Sequence, residues 1–135
     1  MSVLKLEAKL ENLKKVMAFA DEKLEALNCP MKKQLQLDVA LEELFVNIAH
    51  YAYAGKSGDV EIRVETEENP RAVKIILIDS GEPFNPLKRS VPDISLPVHQ
   101  RQIGGLGIYL ARKNTDGMEY RYEDGKNILT FRKLL

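Results

Sequence analysis

Hydrophobic and polar residues alternate along several stretches of the chain, and this pattern predicts β-strands. Residues 2–8 alternate in this way, and residues 59–68 do so again after a Gly-Lys-Ser-Gly turn. Residues 71–80 are more continuously apolar, so we expect them to form the more buried strand of a hairpin with residues 59–68. Residues 118–135 predict two further strands joined at an Asp-Gly turn.

Elsewhere, apolar residues recur every three to four positions, and this spacing predicts three helices. The first pattern covers residues 10–27 and ends before Pro30, and the second covers residues 32–54. The third covers residues 105–114 and follows a glycine-rich segment. The second and longest helix places four apolar side chains along one stripe: Leu37, Leu41, Leu44 and Ile48.

Neither period holds from residue 80 to residue 103, a segment that contains four of the six prolines of the chain. Long irregular segments in compact domains are usually functional lids or disordered. The predicted order is therefore strand, two helices, two strands, lid, helix and two strands. Helices gathered against a largely antiparallel sheet predict an α+β fold, here a two-layer sandwich with the helices on one face.

Length and composition limit the classes of protein that the chain can belong to. A chain of 135 residues is expected to form one domain, residues 1–135, and its 44% hydrophobic content suffices for a core without disulfides or metals. Lys plus Arg and Asp plus Glu number 20 each, so no net charge draws the protein to nucleic acid or to an anionic membrane.

Cysteine and histidine are scarce. Cys29 is the only cysteine, so no intrachain disulfide can form, which is typical of a reducing cytosol. Cys29, His50 and His99 have no partner pattern for a zinc site or a nucleophilic triad, and we assign them no role. The N-terminal residues lack a signal-peptide core, and no apolar run is long enough to span a bilayer. We therefore expect a cytoplasmic protein without membrane or direct nucleic-acid partners.

The longest predicted helix carries a carboxylate and an amide one turn apart, Glu43 and Asn47. Apolar residues flank this stripe, with Val39 and Val46 on one side and Leu44 on the other, where polar groups would ordinarily seek water. Such a pair indicates either a ligand site or a boundary pair that faces water or caps a neighbouring strand. The pattern alone does not decide between them.

A second polar motif, DSGEPFNP at residues 79–86, begins where an apolar strand is expected to end. Asp79 would lie at the carboxyl end of that strand, and Gly81 would let another backbone or a ligand approach closely. A carboxylate there can accept a hydrogen bond from an exocyclic amine, which distinguishes adenine from guanine. The alternative is a plain Asp-Ser-Gly turn.

A third motif, IGGLGIYL, brings three glycines to the start of the last predicted helix: Gly104, Gly105 and Gly107. Backbone N–H groups at a helix N-terminus bind phosphate, although glycines also begin helices that bind nothing. The motif is neither a P-loop nor the GxGxxG fingerprint. Lys88, Arg89 and Arg101 in the preceding segment would add positive charge near phosphates or would simply be solvated.

Together and in this order, the three motifs resemble the GHKL-type ATP-binding fold. Within that superfamily, the chain resembles the anti-sigma-factor serine/threonine kinases of the RsbW and SpoIIAB kind over almost its whole length. EELFVNIAHYAY resembles the N box of this family, DSGEPFNP its adenine box, GGLGIYLARKNTD its second glycine box and KNILTFRK its closing strand.

The resemblance implies the cofactors ATP and Mg²⁺ and a role for each half of the N box. Asn47 would coordinate Mg²⁺ on the ATP phosphates, and Glu43 would take the proton from an incoming serine or threonine hydroxyl. The N box of many relatives ends in His-Ala-Tyr, whereas this chain has Tyr51-Ala52-Tyr53 and places His50 one position early. This departure leaves Glu43 and Asn47 in place.

The resemblance also implies how the nucleotide is held. Asp79 would accept a hydrogen bond from adenine N6, with Gly81 allowing close approach. The three glycines would direct backbone N–H groups at the phosphates: Gly104, Gly105 and Gly107. Arg101 would contact the γ-phosphate, although related kinases carry an arginine nearer the glycine box, where this chain has Ile103.

By resemblance, then, the chain is a kinase that phosphorylates a STAS-domain anti-anti-sigma protein and alternately holds a sigma factor, as a homodimer. The main alternative is a nucleotide-dependent module that sequesters its partner without phosphoryl transfer. A histidine-kinase catalytic domain would need dimerisation and phosphoacceptor helices that we do not find, and gyrase or chaperone ATPase domains need a longer chain. A domain without nucleotide would require three motifs to coincide in the right order.

Overall fold

The computed structural model of the protein describes residues 1–88 and 105–135. The order of helices and strands is the one predicted from the sequence. Most of the predicted lid, from residue 89 to residue 103, lies outside the described residues. Helices and strands follow one another as β1 (Ser2–Glu7), α1 (Leu13–Ala26), α2 (Met31–Tyr51), β2 (Asp59–Glu67), β3 (Ala72–Asp79), α3 (Gly105–Lys113), β4 (Gly117–Glu123) and β5 (Lys126–Leu134). Short 3₁₀ turns cover Leu10–Asn12 and Pro86–Lys88.

The five strands form one antiparallel sheet in the order β1-β2-β3-β5-β4. β3 lies at the centre, between β2 and β5, which explains why its sequence is the most continuously apolar. Leu77 on β3 pairs with Ile62 on one side and Leu129 on the other, so apolar side chains form rows across one face. The prediction of a more buried second hairpin strand is therefore confirmed.

The core lies between this face of the sheet and the helices. α1 contributes Val16, Ala20 and Leu24, all fully buried. α2 buries the whole stripe predicted from its sequence: Leu37, Leu41, Leu44 and Ile48. α3 packs against α2 and adds Ala111 to the same cluster. The α+β class and the two-layer arrangement with helices on one face of the sheet are confirmed.

Two element boundaries differ from the sequence prediction for local reasons. The second helix was expected to reach residue 54 but ends at Tyr51, because Ala54 and Gly55 adopt positive φ angles of 48° and 84° that cannot continue a right-handed helix. The first helix was expected from Leu10, where the chain instead makes a single 3₁₀ turn before α1 begins.

The polypeptide has no candidate membrane span among the residues that the structure describes, because none of the helices there is both long and apolar enough to cross a bilayer. Cys29 is buried at the α1–α2 connection, and burial raises the pKa of its thiol. A thiol with a raised pKa carries less thiolate and is a weaker nucleophile.

Candidate functional site

A cleft of about 140 Å³ opens between the C-terminal half of α2, the end of β3 and the start of β5. Apolar side chains form its walls, and two of the polar residues singled out in the sequence, Asn47 and Asp79, line it together. An apolar cleft on which a few polar groups converge is the usual form of a ligand site. The apolar part comes from Leu44, Ile48, Pro83, Phe84 and Leu129.

Asp79 is the last residue of β3 and is only 6% exposed. Its Oδ1 accepts hydrogen bonds from the backbone N–H of Gly81 at 2.9 Å and from the side-chain amide of Asn127 at 3.0 Å. Within the described parts of the chain, no hydrogen bond reaches Oδ2. Burial raises the pKa of Asp79, and the two donors counteract part of that rise. The carboxylate therefore has one oxygen fixed by the protein and one oxygen available to a ligand.

Gly81 makes the close approach that was predicted for it, and its neighbour in space is the end of α2. A Cβ atom at this position would overlap the carbonyl group of Ala52. That same carbonyl oxygen accepts a hydrogen bond from the N–H of Glu82 at 3.0 Å. The DSG segment thus forms the Asp-based turn that was one of the two alternatives, and it also contacts the end of α2.

Tyr53 adds further contacts between the DSG segment and the residues that follow α2. Its hydroxyl group accepts a hydrogen bond from the N–H of Ser80 at 2.8 Å and donates one to the carbonyl of Asp59. Its ring fills the space beside Gly58, where a Cβ would overlap it. Through these contacts, the residue after Asp79 is tied to the loop that follows α2 and to the beginning of β2.

Asn127 is the strongest anchor of the cleft wall, and the sequence motifs did not include it among the site residues. It opens the inward-facing row of β5 and is 6% exposed. Its Nδ2 donates to Asp79 and to the carbonyl of Glu82, the latter at 2.9 Å, and its Oδ1 accepts from the N–H of Phe84 at 3.1 Å and from the hydroxyl of Tyr120. The available signal was a polar residue in an inward position of an alternating strand.

Glu43 and Asn47 lie on one stripe of α2 and are both partly buried. Of the flanking residues, Leu44 is buried and Val46 partly buried, but Val39 is 38% exposed, so the expected apolar flank is incomplete on that side. Burial, and then the negative charge of Glu42, raise the pKa of Glu43. A raised pKa makes the Glu43 carboxylate a better proton acceptor than an ordinary surface carboxylate.

The Glu43 carboxylate reaches the first turn of α3. A Cβ built on Gly107 would lie 2.5 Å from Oε2 of Glu43, so only glycine leaves room for the carboxylate in its present position. Gly105 and Gly107 both belong to this first turn, whose N–H groups have no partner within the helix. The structure therefore brings the predicted base and two of the predicted phosphate-binding glycines to one place.

Three of the sequence candidates, Arg89, Arg101 and Gly104, lie outside the described residues. Among the residues that are described, no three His, Cys, Asp or Glu side chains are grouped as a metal site. Mg²⁺ held mainly by substrate phosphates needs only one or two protein ligands. The single amide oxygen of Asn47 beside the cleft fits that kind of ion and would not fit an all-protein metal centre.

A wider depression of about 680 Å³ lies on the open face of the sheet, away from the helices. Its lining is mostly charged, and some of those charges pair with one another, as in Arg132–Glu67 at 2.8 Å and Arg121–Glu123 at 3.4 Å. Exposed ion pairs are typical of a solvated sheet face. We therefore take the smaller cleft, with its buried carboxylate, as the candidate site.

Comparison with known families agrees with this fold. Residues 6–133 match the model of the histidine kinase-like ATPase domain, and the chain therefore belongs to that family. It is 33% identical over 97 residues to serine-protein kinases RsbW from Bacillus thuringiensis (strain Al Hakam) and Bacillus cereus (strain 03BB102). The aligned part makes up 69% of this chain and 59% of each of those two relatives.

A solved structure shows the same fold. The crystal structure of the RsbU and RsbW domains of a Mycobacterium tuberculosis protein superposes on all of this chain with a TM-score of 0.64 and 16% sequence identity. The matched region is 33% of that chain. At this level of identity the similarity concerns the fold alone, and it agrees with the two-layer arrangement described above.

Proposed function

We propose that this protein is an ATP-dependent protein serine/threonine kinase that acts as an anti-sigma factor and phosphorylates a STAS-domain anti-anti-sigma protein. The observation that carries the proposal is the convergence of three separate sequence motifs around α2. Asn47 lines the cleft with Asp79, and Glu43, one turn away, meets Gly107 at the start of α3. The similarity to relatives named serine-protein kinases supports a protein substrate.

The proposed nucleotide lies with its base in the cleft and its phosphates toward α3. Oδ2 of Asp79 is the acceptor for the exocyclic amine of adenine, and Leu44, Ile48 and Leu129 contact the faces and edges of the ring. The N–H groups of the first turn of α3, which have no partner within the helix, bind phosphate oxygens. Asn47 holds Mg²⁺, which neutralises phosphate charge when it is bound.

In the proposed reaction the serine or threonine hydroxyl oxygen of the partner forms a bond to the γ-phosphorus, and the bond from that phosphorus to the β–γ bridging oxygen breaks. ADP leaves with that oxygen, and the hydroxyl proton passes to the carboxylate of Glu43. Such a step requires alignment and charge neutralisation and only one oriented base. The partly buried position of Glu43, with its raised pKa, is suited to that role.

We also propose that the protein is a cytoplasmic homodimer and that it binds a sigma factor when it is not bound to the STAS-domain substrate. None of these features follows from the geometry of the cleft; they are carried over from the family resemblance. The chain spans 59% of the length of the curated relatives that it matches, so these partners are proposed for this chain rather than assigned to it.

The decisive experiment is a phosphoryl-transfer assay with γ-labelled ATP, Mg²⁺ and the cognate STAS-domain protein. We expect label on the STAS-domain protein and a loss of about 10²- to 10⁴-fold in the Glu43→Ala variant, because general-base catalysis contributes about that much. Glu42→Ala is the matched control: it removes the same charge from the adjacent, exposed position and is expected to have a far smaller effect.

One result would contradict the role of Glu43, and another would contradict the kinase activity itself. Labelling that survives Glu43→Ala would remove the proposed base. Nucleotide that changes the affinity for the STAS-domain protein without forming any phosphoprotein would favour the alternative function, a nucleotide-dependent module that sequesters its partner.

A further inference from the structure

We propose that Tyr53 is a positioning residue, whose hydroxyl group holds the turn after Asp79 against the end of α2 and so fixes the spacing between the two ends of the nucleotide site. The base is proposed to bind at the Asp79 end, and the phosphates at the end formed by Asn47 and Glu43. The inference rests on the proposed binding of ATP in the cleft. It assigns a role to a residue that does not itself line that cleft.

The hydroxyl group of Tyr53 lies where the hydrogen-bonded ladder between β2 and β3 ends. Val60 and Asp79 are the last pair of that ladder. In the same register, the next pair would be Asp59 and Ser80. The hydroxyl group instead accepts a hydrogen bond from the N–H of Ser80 at 2.8 Å and donates one to the carbonyl of Asp59. Because a ladder hydrogen bond joins groups of these two kinds, the Tyr53 side chain takes the place of one rung.

The turn after α2 places the Tyr53 side chain in this position. The N–H of Lys56 donates to the carbonyl of Tyr53 at 2.9 Å and closes a β-turn. The two central residues, Ala54 and Gly55, have positive φ angles of 48° and 84°, as in a type I′ turn. The ring of Tyr53 then fills the space beside Gly58, where a Cβ would overlap it. The turn and the packing of the ring together fix the direction of the hydroxyl group.

A second contact joins the turn after Asp79 to the end of α2. The carbonyl of Ala52 accepts a hydrogen bond from the N–H of Glu82 at 3.0 Å, and a Cβ on Gly81 would overlap the same carbonyl group. The hydrogen bonds made by the N–H groups of Ser80 and Glu82 therefore flank the close contact at Gly81. The turn cannot move away from the end of α2 without breaking both of them.

Helix α2 connects this attachment to the phosphate end of the site. The helix is regular up to the attachment, where the N–H of Ala52 still donates to the carbonyl of Ile48 at 3.0 Å. Given the rise per residue of an α-helix, Asn47 lies about 7.5 Å and Glu43 about 13.5 Å along the axis from Ala52. The attachment therefore sets how far these side chains lie from Asp79. A nucleotide held at Asp79 has its phosphates aligned for reaction only at the correct spacing.

The test compares Tyr53→Phe with the wild-type protein in calorimetric titrations of the full chain with MgATP and with adenosine. Phenylalanine keeps the ring beside Gly58 and removes only the hydroxyl group, so we expect the variant to fold. Adenosine has no phosphates and should bind both proteins with about the same affinity. The affinity for MgATP should fall by about tenfold, because the base and the phosphates no longer meet a preorganised pair of subsites.

Phosphoryl transfer to the STAS-domain protein gives a second measurement on the same variant. At saturating MgATP the rate should fall by about 10- to 10²-fold, since a displacement of about 1 Å in a reacting group has an effect of that size. A residue that only stabilised the fold would not change the rate of the folded protein at saturation.

Two control variants separate positioning from a loss of stability. Ile62→Val deletes one methyl group from a fully buried side chain on β2, outside the cleft, and should lower the melting temperature. It should not change the ratio of the affinities for MgATP and adenosine. Tyr122→Phe removes the hydroxyl group of an exposed tyrosine on β4 and should change neither quantity.

The possible failures are distinguishable. If wild-type protein binds both ligands and Tyr53→Phe matches Ile62→Val in the affinity ratio and in transfer, Tyr53 does not position the site, although the site itself stands. Equal losses of affinity for adenosine and MgATP would also overturn the role, because Tyr53 would then act at the base end alone.

The proposed function fails in other ways. Folded wild-type protein that binds neither ligand would overturn it, and the role of Tyr53 with it. Wild-type protein that binds both ligands and transfers no phosphoryl group would contradict the kinase activity, and the affinity ratio would then decide the role of Tyr53.

Discussion

At Gly107, the absence of a side chain determines where the proposed base lies. A Cβ there would be 2.5 Å from Oε2 of Glu43, and the atom that must yield is the flexible end of a side chain rather than backbone. Gly107→Ala should therefore fold, and should gain up to about 1 kcal/mol from the higher helix propensity of alanine. Phosphoryl transfer should nevertheless fall by about 10²-fold, because a displacement of about 1 Å in a reacting group has that effect.

Urea unfolding and single-turnover labelling, performed on the same preparations, check this prediction. The two measurements should move independently, with stability unchanged or higher and transfer slower. If transfer is lost only in proportion to a loss of stability, Gly107 is a packing residue and does not position Glu43.

At the level of elements, the contact between α1 and α2 contains a carboxylate that is poorly accommodated. Oδ1 of Asp38 on α2 is buried without a hydrogen-bond partner among the described residues, and nearby Asp21 on α1 already accepts a bond from Gln34 at 3.1 Å. Burial first, and then Asp21, Glu25 and Glu42, raise the pKa of Asp38 from 3.8 to about 7. Between about pH 4 and about pH 7, the folded protein is therefore expected to hold a proton at this contact that the unfolded chain releases.

This proton makes stability depend on pH. A carboxyl group whose pKa is higher in the folded state contributes least at high pH, so the free energy of unfolding should fall as the pH rises from about 4 to about 7. Asp38→Asn cannot ionise and its amide can donate to Asp21, so it should raise the melting temperature more at pH 8 than at pH 4. Glu22→Gln, an exposed change on α1 next to Asp21, is the control and should show no such difference.

Melting followed by circular dichroism across this range gives the comparison directly. A stabilisation by Asp38→Asn that is equal at both pH values would mean that Asp38 is ionised in the folded state throughout, with water in place of the missing partner.

The elements themselves were predictable because each has a continuous local pattern. The α2 stripe from Leu37 to Ile48 and the alternation of β2 both survive in the folded structure unchanged. The ends were less predictable, since the positive φ at Ala54 that stops α2 is imposed by the following turn and has no apolar signal. Asn127 was missed for a related reason: it follows an Asp-Gly turn, where a polar residue is ordinary, and its burial depends on which strands pair.

At the scale of the whole molecule, the site depends on the strand order. Asp79 and Asn127 are cross-strand partners only because β5, rather than β4, lies beside β3. Local periodicity does not determine that choice, so the sequence indicated Asp79 but not its anchor. The order of the motifs along the sequence carried the family resemblance, whereas the pairing of β3 with β5 determines how Asp79 is held.

Because the cleft is assembled from α2, β3, β5 and the segment after β3, a nucleotide bound there should stabilise the whole fold. A ligand at 100 times its Kd adds about 2.7 kcal/mol to the free energy of unfolding, provided that it binds only the folded state. We therefore expect ATP to raise the melting temperature, and Mg²⁺ to raise it further, when unfolding is followed by calorimetry.

The Asn47→Ala variant should separate the effect of ATP on the melting temperature from the effect of Mg²⁺. In Asn47→Ala, ATP alone should still stabilise the protein through the adenine end of the cleft, while the additional shift on adding Mg²⁺ should disappear, because the proposed protein ligand for the ion is gone. Magnesium without nucleotide should have little effect on either protein, since no group of three acidic, His or Cys side chains among the described residues forms a metal site. A Mg²⁺-dependent shift that persists in Asn47→Ala would place the ion on phosphates and on residues outside α2.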